Sequence, residues 1–160
     1  MKTKLLAALT LVTPLFFTSV VNAANPQQVQ KLLSTGECIQ CDLSGADLSG
    51  AHLIGADLRG ANLQGANLEE ANIEGADFTG ANLQGANLKS AFATNVNFKK
   101  ANLNGVNFTN AMITDSNVYG ASMKNLTITN ADIYNTGIGI GGDNAEIPDW
   151  DQQIETYKQE

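Results

Sequence analysis

The sequence has little of what most catalytic and nucleic-acid-binding sites require. Among its 160 residues are one histidine, two cysteines and one tryptophan, and nine lysines and arginines stand against sixteen aspartates and glutamates. Nucleic acid is not expected as a partner, because neutralising phosphates needs clustered Lys and Arg. The single histidine, His52, has no cysteine or serine visibly paired with it. We therefore expect a non-enzymatic protein with no catalytic residues, cofactor or metal.

Long hydrophobic runs are also scarce, and the one present lies at the N-terminus. Lys2 and Lys4 precede the run LLAALTLVTPLFFTSVV, and residues 21–23 are typical of a signal-peptide cleavage site. Residues 1–23 are therefore predicted to be a cleaved signal peptide; a membrane anchor is the alternative, because the run is at the lower limit of spanning length. Cleavage predicts an exported protein, in the periplasm or thylakoid lumen, with no membrane attachment and a net charge of 7 − 16 = −9.

The sequence is rich in one feature, a five-residue repeat such as ANLQGANLEEANIEGADF. In an α-helix, equivalent positions would rotate by about 140° per repeat, and in a flat strand they would alternate between faces. Neither structure gathers the apolar residues on one side. The repeat predicts a chain that turns a corner every five residues.

Each pentad has a large apolar residue at its centre, from Leu43 to Ile138, with Ala93 as the one small exception. Two positions before the centre stands a small residue, most often Ala, and both are predicted to point inward because alternate residues of an extended segment share a side. Two positions after it, Gly or Asn usually stands, and these residues accept the positive φ of a tight turn. Asp115 is a further residue that accepts this conformation, and the exceptions at the corner position are Glu70, Ser90, Lys100 and Ile140.

The position immediately before each centre is Asn or Asp in most pentads. Asp47, Asn62, Asn67 and Asn82 are examples. We expect these side chains to face outward, where they can bond neighbouring backbone or one another.

These A(N/D)LxG pentads resemble those of the pentapeptide repeat proteins, over twenty pentads at residues 41–140. The resemblance implies an all-β solenoid, a right-handed quadrilateral β-helix with four pentads per turn and about five coils. Centres twenty residues apart, such as Leu63 and Leu83, would then stack in the core.

Short α-helices are expected to cap both ends of the solenoid. In residues 24–40, Asn25 followed by Pro26 predicts a helix start, and Gly36 predicts its end. Val29, Leu32 and Leu33 are predicted to share its inner face.

Residues 141–160 contain a second candidate helix. Trp150, Ile154 and Tyr157 recur at helical spacing after Pro148. A disordered tail is the alternative, because so short a helix is marginal without docking.

Cys38 and Cys41 form a CxxC with three interpretations. Export favours a disulfide that joins the cap to the first coil. A zinc site would need two further ligands, and a redox site would normally stand at a helix start in a βαβ unit.

The favoured function is an exported, monomeric, rigid binding or scaffolding module with an unknown protein partner. This follows from resemblance to cyanobacterial and chloroplast members of the family that have a signal peptide, helical caps and a cysteine pair. One alternative is a mimic of DNA that binds DNA gyrase, as other members of the family do. A CxxC redox protein is the other alternative.

The outward positions depart from their polar rule on one side of the predicted coil. Ile54, Phe92, Met112 and Tyr134 are predicted to lie there as an interaction face. The alternative for Phe92 is that its ring turns inward to fill the space beside Ala93.

Overall fold

A computed structural model describes residues 24–136 of the protein. Helix α1 (Pro26–Thr35) is followed by a long succession of short extended segments, and three of these are strands, β1 (Phe92–Thr94), β2 (Met112–Thr114) and β3 (Asp132–Tyr134). The predicted signal peptide, the pentad centred on Ile138 and the candidate C-terminal helix lie outside the described residues.

The extended segments stack as a parallel coil with four sides. Asp42 pairs in parallel with Asn62, and Asn62 with Asn82. The spacing of 62 − 42 = 20 residues recurs along the coil, so four pentads complete each turn. We number the sides one to four, with side one centred on Leu43, side two on Leu48, side three on Leu53 and side four on Leu58.

The core is formed by the two predicted inward columns. Leu63 and Leu83 have no exposed surface, and neither does the small centre Ala93. Phe78 and Phe98 stack with their ring centroids 5.4 Å apart. Burying a large apolar side chain contributes roughly 1.5–3 kcal/mol before conformational entropy is subtracted.

The corners have the predicted backbone conformation even where the residue is not glycine. Glu70, Ser90 and Lys100 have φ values of 58°, 56° and 58°. At a regular corner the turn is closed by one hydrogen bond, as where the Ala66 N–H donates to the Leu63 carbonyl at 3.0 Å. The position therefore imposes positive φ on residues that ordinarily avoid it.

Side three differs from the other sides after its second pentad. At the corner that follows β1, the Val96 N–H donates to the Ser116 hydroxyl at 3.1 Å, and that hydroxyl donates to the Ala93 carbonyl at 2.7 Å. The buried Ser116 side chain thus links the two backbone groups that bond directly at a regular corner. β1, β2 and β3 all lie on this side and pair in parallel in that order.

Helix α1 begins and ends at the predicted residues. The Asn25 carboxamide accepts the Gln27 N–H, and Gly36 ends the helix with φ 71°. Leu32 is buried in the core cluster and Val29 packs against it. The prediction that Leu33 shares this face is wrong, because Leu33 is 51% exposed. It lies about 100° around the helix from Leu32, and the helix buries a narrow stripe.

The coil extends one pentad further toward the N-terminus than the repeat indicated. Glu37 pairs with Asp57, and the Cys38 N–H donates to the Asp57 carbonyl at 2.8 Å. Gln40 has the corner conformation, with φ 56°. Residues 36–40 are therefore a pentad of side four, and Cys38 is its centre instead of part of the helical cap.

Candidate interaction face

All four predicted residues of the interaction face have exposed side chains on side three. Ile54 is 61% exposed, Phe92 50%, Met112 39% and Tyr134 71%. The Phe92 ring is thus half exposed, and the inward alternative beside Ala93 is not the conformation that the structure has.

The structure brings three of these four residues together. Phe92 on β1 is the direct neighbour of Met112 on β2, and Tyr134 on β3 is the neighbour of Thr114 on β2. Adjacent strands lie about 4.8 Å apart, so the three residues lie within two strand spacings of one another along the stack, on the same outer face. We call Phe92, Met112 and Tyr134 the apolar patch.

Ile54 lies apart from the apolar patch. It occupies the same outward column as Thr94, but 94 − 54 = 40 residues separate them, which is two turns of the coil. The coil between them carries Asn72 and Glu74 on this side. At about 4.8 Å per turn, Ile54 is roughly 10 Å from the level of β1.

Acidic residues border the apolar patch on three of its edges. Glu74 precedes Thr94 in its column, Asp132 pairs with Met112, and Asp115 stands at the corner beside Thr114. All three are exposed. The Asp115 carboxylate accepts a hydrogen bond from the Asn135 side chain at 2.5 Å.

The basic residues of the described chain lie elsewhere. Two of them are in ion pairs, Arg59 with Asp57 at 2.6 Å and Lys89 with Glu69 at 2.7 Å. The hydrogen bond from Arg59 lowers the pKa of Asp57, and that from Lys89 lowers the pKa of Glu69. The described lysines and arginines are Lys31 on α1, Arg59 and Lys99 on side four, Lys89 on side two, Lys124 on side one and Lys100 at the corner after side four.

Cys38 and Cys41 form a disulfide, with their Cα atoms 5.2 Å apart. The bond spans a single corner of the coil, and both residues are buried. The Cys38 sulfur lies 3.5 Å from the Gln28 carbonyl of α1, and the Gln28 side-chain oxygen accepts the Asp42 N–H at 2.5 Å. The disulfide thus stiffens the first corner, and Gln28 joins α1 to the coil there.

Outward amides on sides one and two form two continuous ladders. The sequence predicted that these side chains bond neighbouring backbone or one another, but not which residues they bond. On side one, Asn82 Nδ2 donates to Asn62 Oδ1 at 3.1 Å, and Asn62 Nδ2 donates to Asp42 Oδ1 at 3.1 Å. The recurrence of Asn at intervals of twenty residues was the signal for them. Side two repeats the arrangement with Asn87, Asn67 and Asp47.

An aspartate receives the last hydrogen bond of each ladder. The pKa of Asp42 is lowered chiefly by hydrogen bonds from the Ser44 side chain and backbone. Ser49 lowers the pKa of Asp47 in the same way. Each amide oxygen also accepts the backbone N–H two residues further along, as Asn82 does from Gln84.

Neither a metal centre nor a membrane span is found in the part of the chain that the structure describes. No group of three or more His, Cys, Asp and Glu residues among residues 24–136 could hold a metal ion. None of the helices in that range is long and apolar enough to cross a membrane.

The sequence and the fold define a class of protein. The model of the pentapeptide repeat family matches residues 41–80, 81–118 and 94–130, with eight copies. This chain belongs to that family, and its coil is accordingly a right-handed β-helix. The resemblance noted in the repeat is confirmed.

Solved structures include similar proteins. A pentapeptide repeat protein from the thylakoid lumen of Arabidopsis thaliana is 32% identical, with a TM-score of 0.61, over 86% of this chain and 84% of that one. One from Nostoc PCC 7120 is 24% identical, with a TM-score of 0.37, over 66% and 95%. QnrB1, a plasmid-mediated fluoroquinolone resistance protein, is 18% identical, with a TM-score of 0.33, over 77% and 84%. A search of curated proteins gave no significant match.

Proposed function

We propose that this protein is an exported, monomeric, non-enzymatic module that binds a protein partner through side three. The observation that carries the proposal is the apolar patch of Phe92, Met112 and Tyr134, which are all exposed. Sides one and two carry polar amide ladders at the equivalent outward positions. Clusters of exposed apolar side chains are a common feature of contact sites on soluble proteins.

The way in which the patch is held also favours binding. Its residues belong to β1, β2 and β3, which pair in register. Thr94 and Thr114 add a hydrogen bond between their hydroxyls at 2.9 Å. A partner that docks on such a preorganised surface loses little free energy in ordering it.

Export is supported by three independent observations. The N-terminal residues have the composition of a signal peptide. Cys38 and Cys41 are joined as a disulfide, which persists in oxidising compartments. The 32% identical relative comes from a thylakoid lumen. We propose the same compartment or its bacterial counterpart, the periplasm.

The two alternative functions have less support. A redox protein needs an accessible sulfur for exchange, whereas Cys38 and Cys41 are 0% and 7% exposed. A mimic of DNA needs regular rows of negative charge, whereas neutral amides fill most of the ladders on sides one and two.

Cell fractionation combined with site-specific photo-crosslinking tests the proposal. A photoreactive phenylalanine analogue replaces Tyr134 on side three in one variant and Gln84 on side one in another, and both positions are exposed. We expect the mature protein in the exported fraction, with a discrete crosslinked adduct from position 134. Retention in the cytoplasm, or the same adducts from both positions, would contradict the proposal.

A further inference from the structure

We infer that the segment recognised by side three is basic and amphipathic, with Lys or Arg side chains next to apolar ones. The inference rests on the proposed function, because it assigns a partner chemistry to the same face. It follows from the charges around the apolar patch.

The apolar patch has carboxylates on three of its edges. Phe92 and Met112 are neighbours on β1 and β2, and Tyr134 lies diagonally beyond on β3. Glu74, Asp115 and Asp132 stand on three edges, and all are exposed. Within the described residues, none of these carboxylates forms an ion pair.

No lysine or arginine of the described residues forms an ion pair with this border. Side three carries no lysine or arginine between residues 52 and 135. The one side chain there that can carry a positive charge is His52, which lies four coils from Asp132. Among the described residues, its carboxylates therefore have no cation as a partner. Charges of opposite sign across an interface fix its register and speed association, and like charges exclude wrong partners.

The same charges disfavour the other candidate occupants. A second copy docked patch to patch would bring Asp115 and Asp132 against like charges. The chain's own residues 137–160 contain Trp150 and Tyr157 but have six acidic residues and one basic residue, a net charge of 1 − 6 = −5. Nucleic acids and anionic lipid surfaces are repelled for the same reason.

Three fluorescent peptides make the probe set. The first is a synthetic peptide in which lysine alternates with phenylalanine, and the second has serine in place of each phenylalanine. The third is residues 143–158 of this chain, which are aromatic and acidic. Binding to the full-length mature protein is measured by fluorescence anisotropy at low and at physiological salt.

Each variant uses a residue that the chain itself has in the same column. Phe92→Asn introduces the residue found at Asn72, and Tyr134→Thr the one found at Thr114, so both should fold. Asp132→Asn removes one border charge. The matched controls lie away from side three. Tyr119→Thr removes an aromatic ring of 38% exposure that lies next to Lys99, and Glu37→Gln removes an exposed carboxylate near α1.

We expect the lysine–phenylalanine peptide to bind most tightly, and to bind about tenfold more weakly to Phe92→Asn and to Tyr134→Thr. Asp132→Asn should weaken binding and reduce its dependence on salt, because screened ion pairs would be lost. The two control variants should bind like the wild type.

Three results would overturn the inference. The first is equal binding of the basic peptide to the wild type and to Phe92→Asn. The second is tighter binding of residues 143–158, which would make the chain's own segment the occupant. The third is a concentration-dependent dimer in sedimentation that Phe92→Asn abolishes. If the basic peptide fails while position 134 still crosslinks to a partner, the inferred chemistry alone is wrong; if both fail, the proposed function is wrong too.

Discussion

At the scale of single residues, the outward amides have a direction. Each ladder Asn on sides one and two donates from Nδ2 toward the N-terminal end, and those within a ladder also accept at Oδ1 from the next coil, as Asn82 does between Asn62 and Asn102. An amide in the middle must both donate and accept. The first residue need only accept, which is why a carboxylate, Asp42, suffices there.

Exchanging Asn and Asp should therefore have different effects on stability in the middle of the ladder and at its first residue. Asn82→Asp loses its donor and places a carboxylate against Asn62 Oδ1, so we expect the free energy of unfolding to fall by about 1 kcal/mol. Asp42→Asn keeps its acceptor oxygen and should change stability much less at neutral pH. Urea denaturation of both variants measures the difference. Equal losses would show that the ladder has no functional direction.

The two carboxylates also make stability depend on pH. The pKa values of Asp42 and Asp47 are lowered in the folded protein from an ordinary 3.8. A lowered pKa means that the stabilisation is present above pH 3.8 and is lost as the pH falls through the folded-state value. The melting temperature should therefore fall on acidification below about pH 4.

The double variant Asp42→Asn, Asp47→Asn isolates this contribution. Its melting temperature should fall less steeply on acidification than that of the wild type, because amides do not titrate. Thermal unfolding followed by circular dichroism across the pH range makes the comparison. Parallel profiles would assign the acid sensitivity to other carboxylates, such as Asp57.

At the scale of elements, the corner after β1 depends on a side chain from the next coil. Ser116 stands in the small inward column, where Ala is usual, and is 1% exposed. Its hydroxyl satisfies both the Val96 N–H and the Ala93 carbonyl. A buried backbone group without a partner is costly, so this hydroxyl is part of the corner.

Ser116→Ala tests that role. The variant leaves two buried backbone groups without their partner, and we expect a loss of about 1–3 kcal/mol in the free energy of unfolding. Ser122→Ala is the control, because its exposed hydroxyl bonds the Asn104 side chain at 2.9 Å. If both variants unfold at the same denaturant concentration, the corner closes by the ordinary turn bond instead.

Elements were predicted from sequence where local chemistry decides them. The start of α1 at Asn25 and Pro26 and its end at Gly36 follow from backbone requirements that any context shares. The burial of Leu32 was predicted, but the exposure of Leu33 depends on how the helix meets the coil, which no local sequence pattern shows. The role of Ser116 was missed for the same reason.

At the scale of the whole molecule, the repeat predicted the core because one geometry satisfies most pentads at once. The centres and corners were predicted position by position, and even Glu70 and Lys100 take the corner conformation. The pentad of residues 36–40 was assigned to the cap because it reads GECIQ and lacks the repeat's usual letters. The apolar patch was predicted from the columns, but the separation of Ile54 emerged from counting coils.

The predicted register is tested by the same substitution at two adjacent residues, one facing inward and one facing outward. Leu83 has no exposed surface and Gln84 is exposed. Leu83→Asp buries a charge without a partner and should cost about 4 kcal/mol or more, enough to unfold a marginal domain. Gln84→Asp should change the free energy of unfolding by less than about 0.5 kcal/mol. Similar melting temperatures for the two variants would overturn the register.

The common direction of the amide ladders has a consequence for how the rod is assembled. Asn62 finds its acceptor on Asp42, and Asn82 in turn on Asn62. Each later coil therefore brings amide N–H donors to side-chain oxygens of the coil before it. In a chain that leaves the ribosome or a translocation pore N-terminus first, those acceptor oxygens emerge before the donors that bind them. The coil can thus add its turns in the order in which the chain is synthesised, starting from α1 and the Cys38–Cys41 corner.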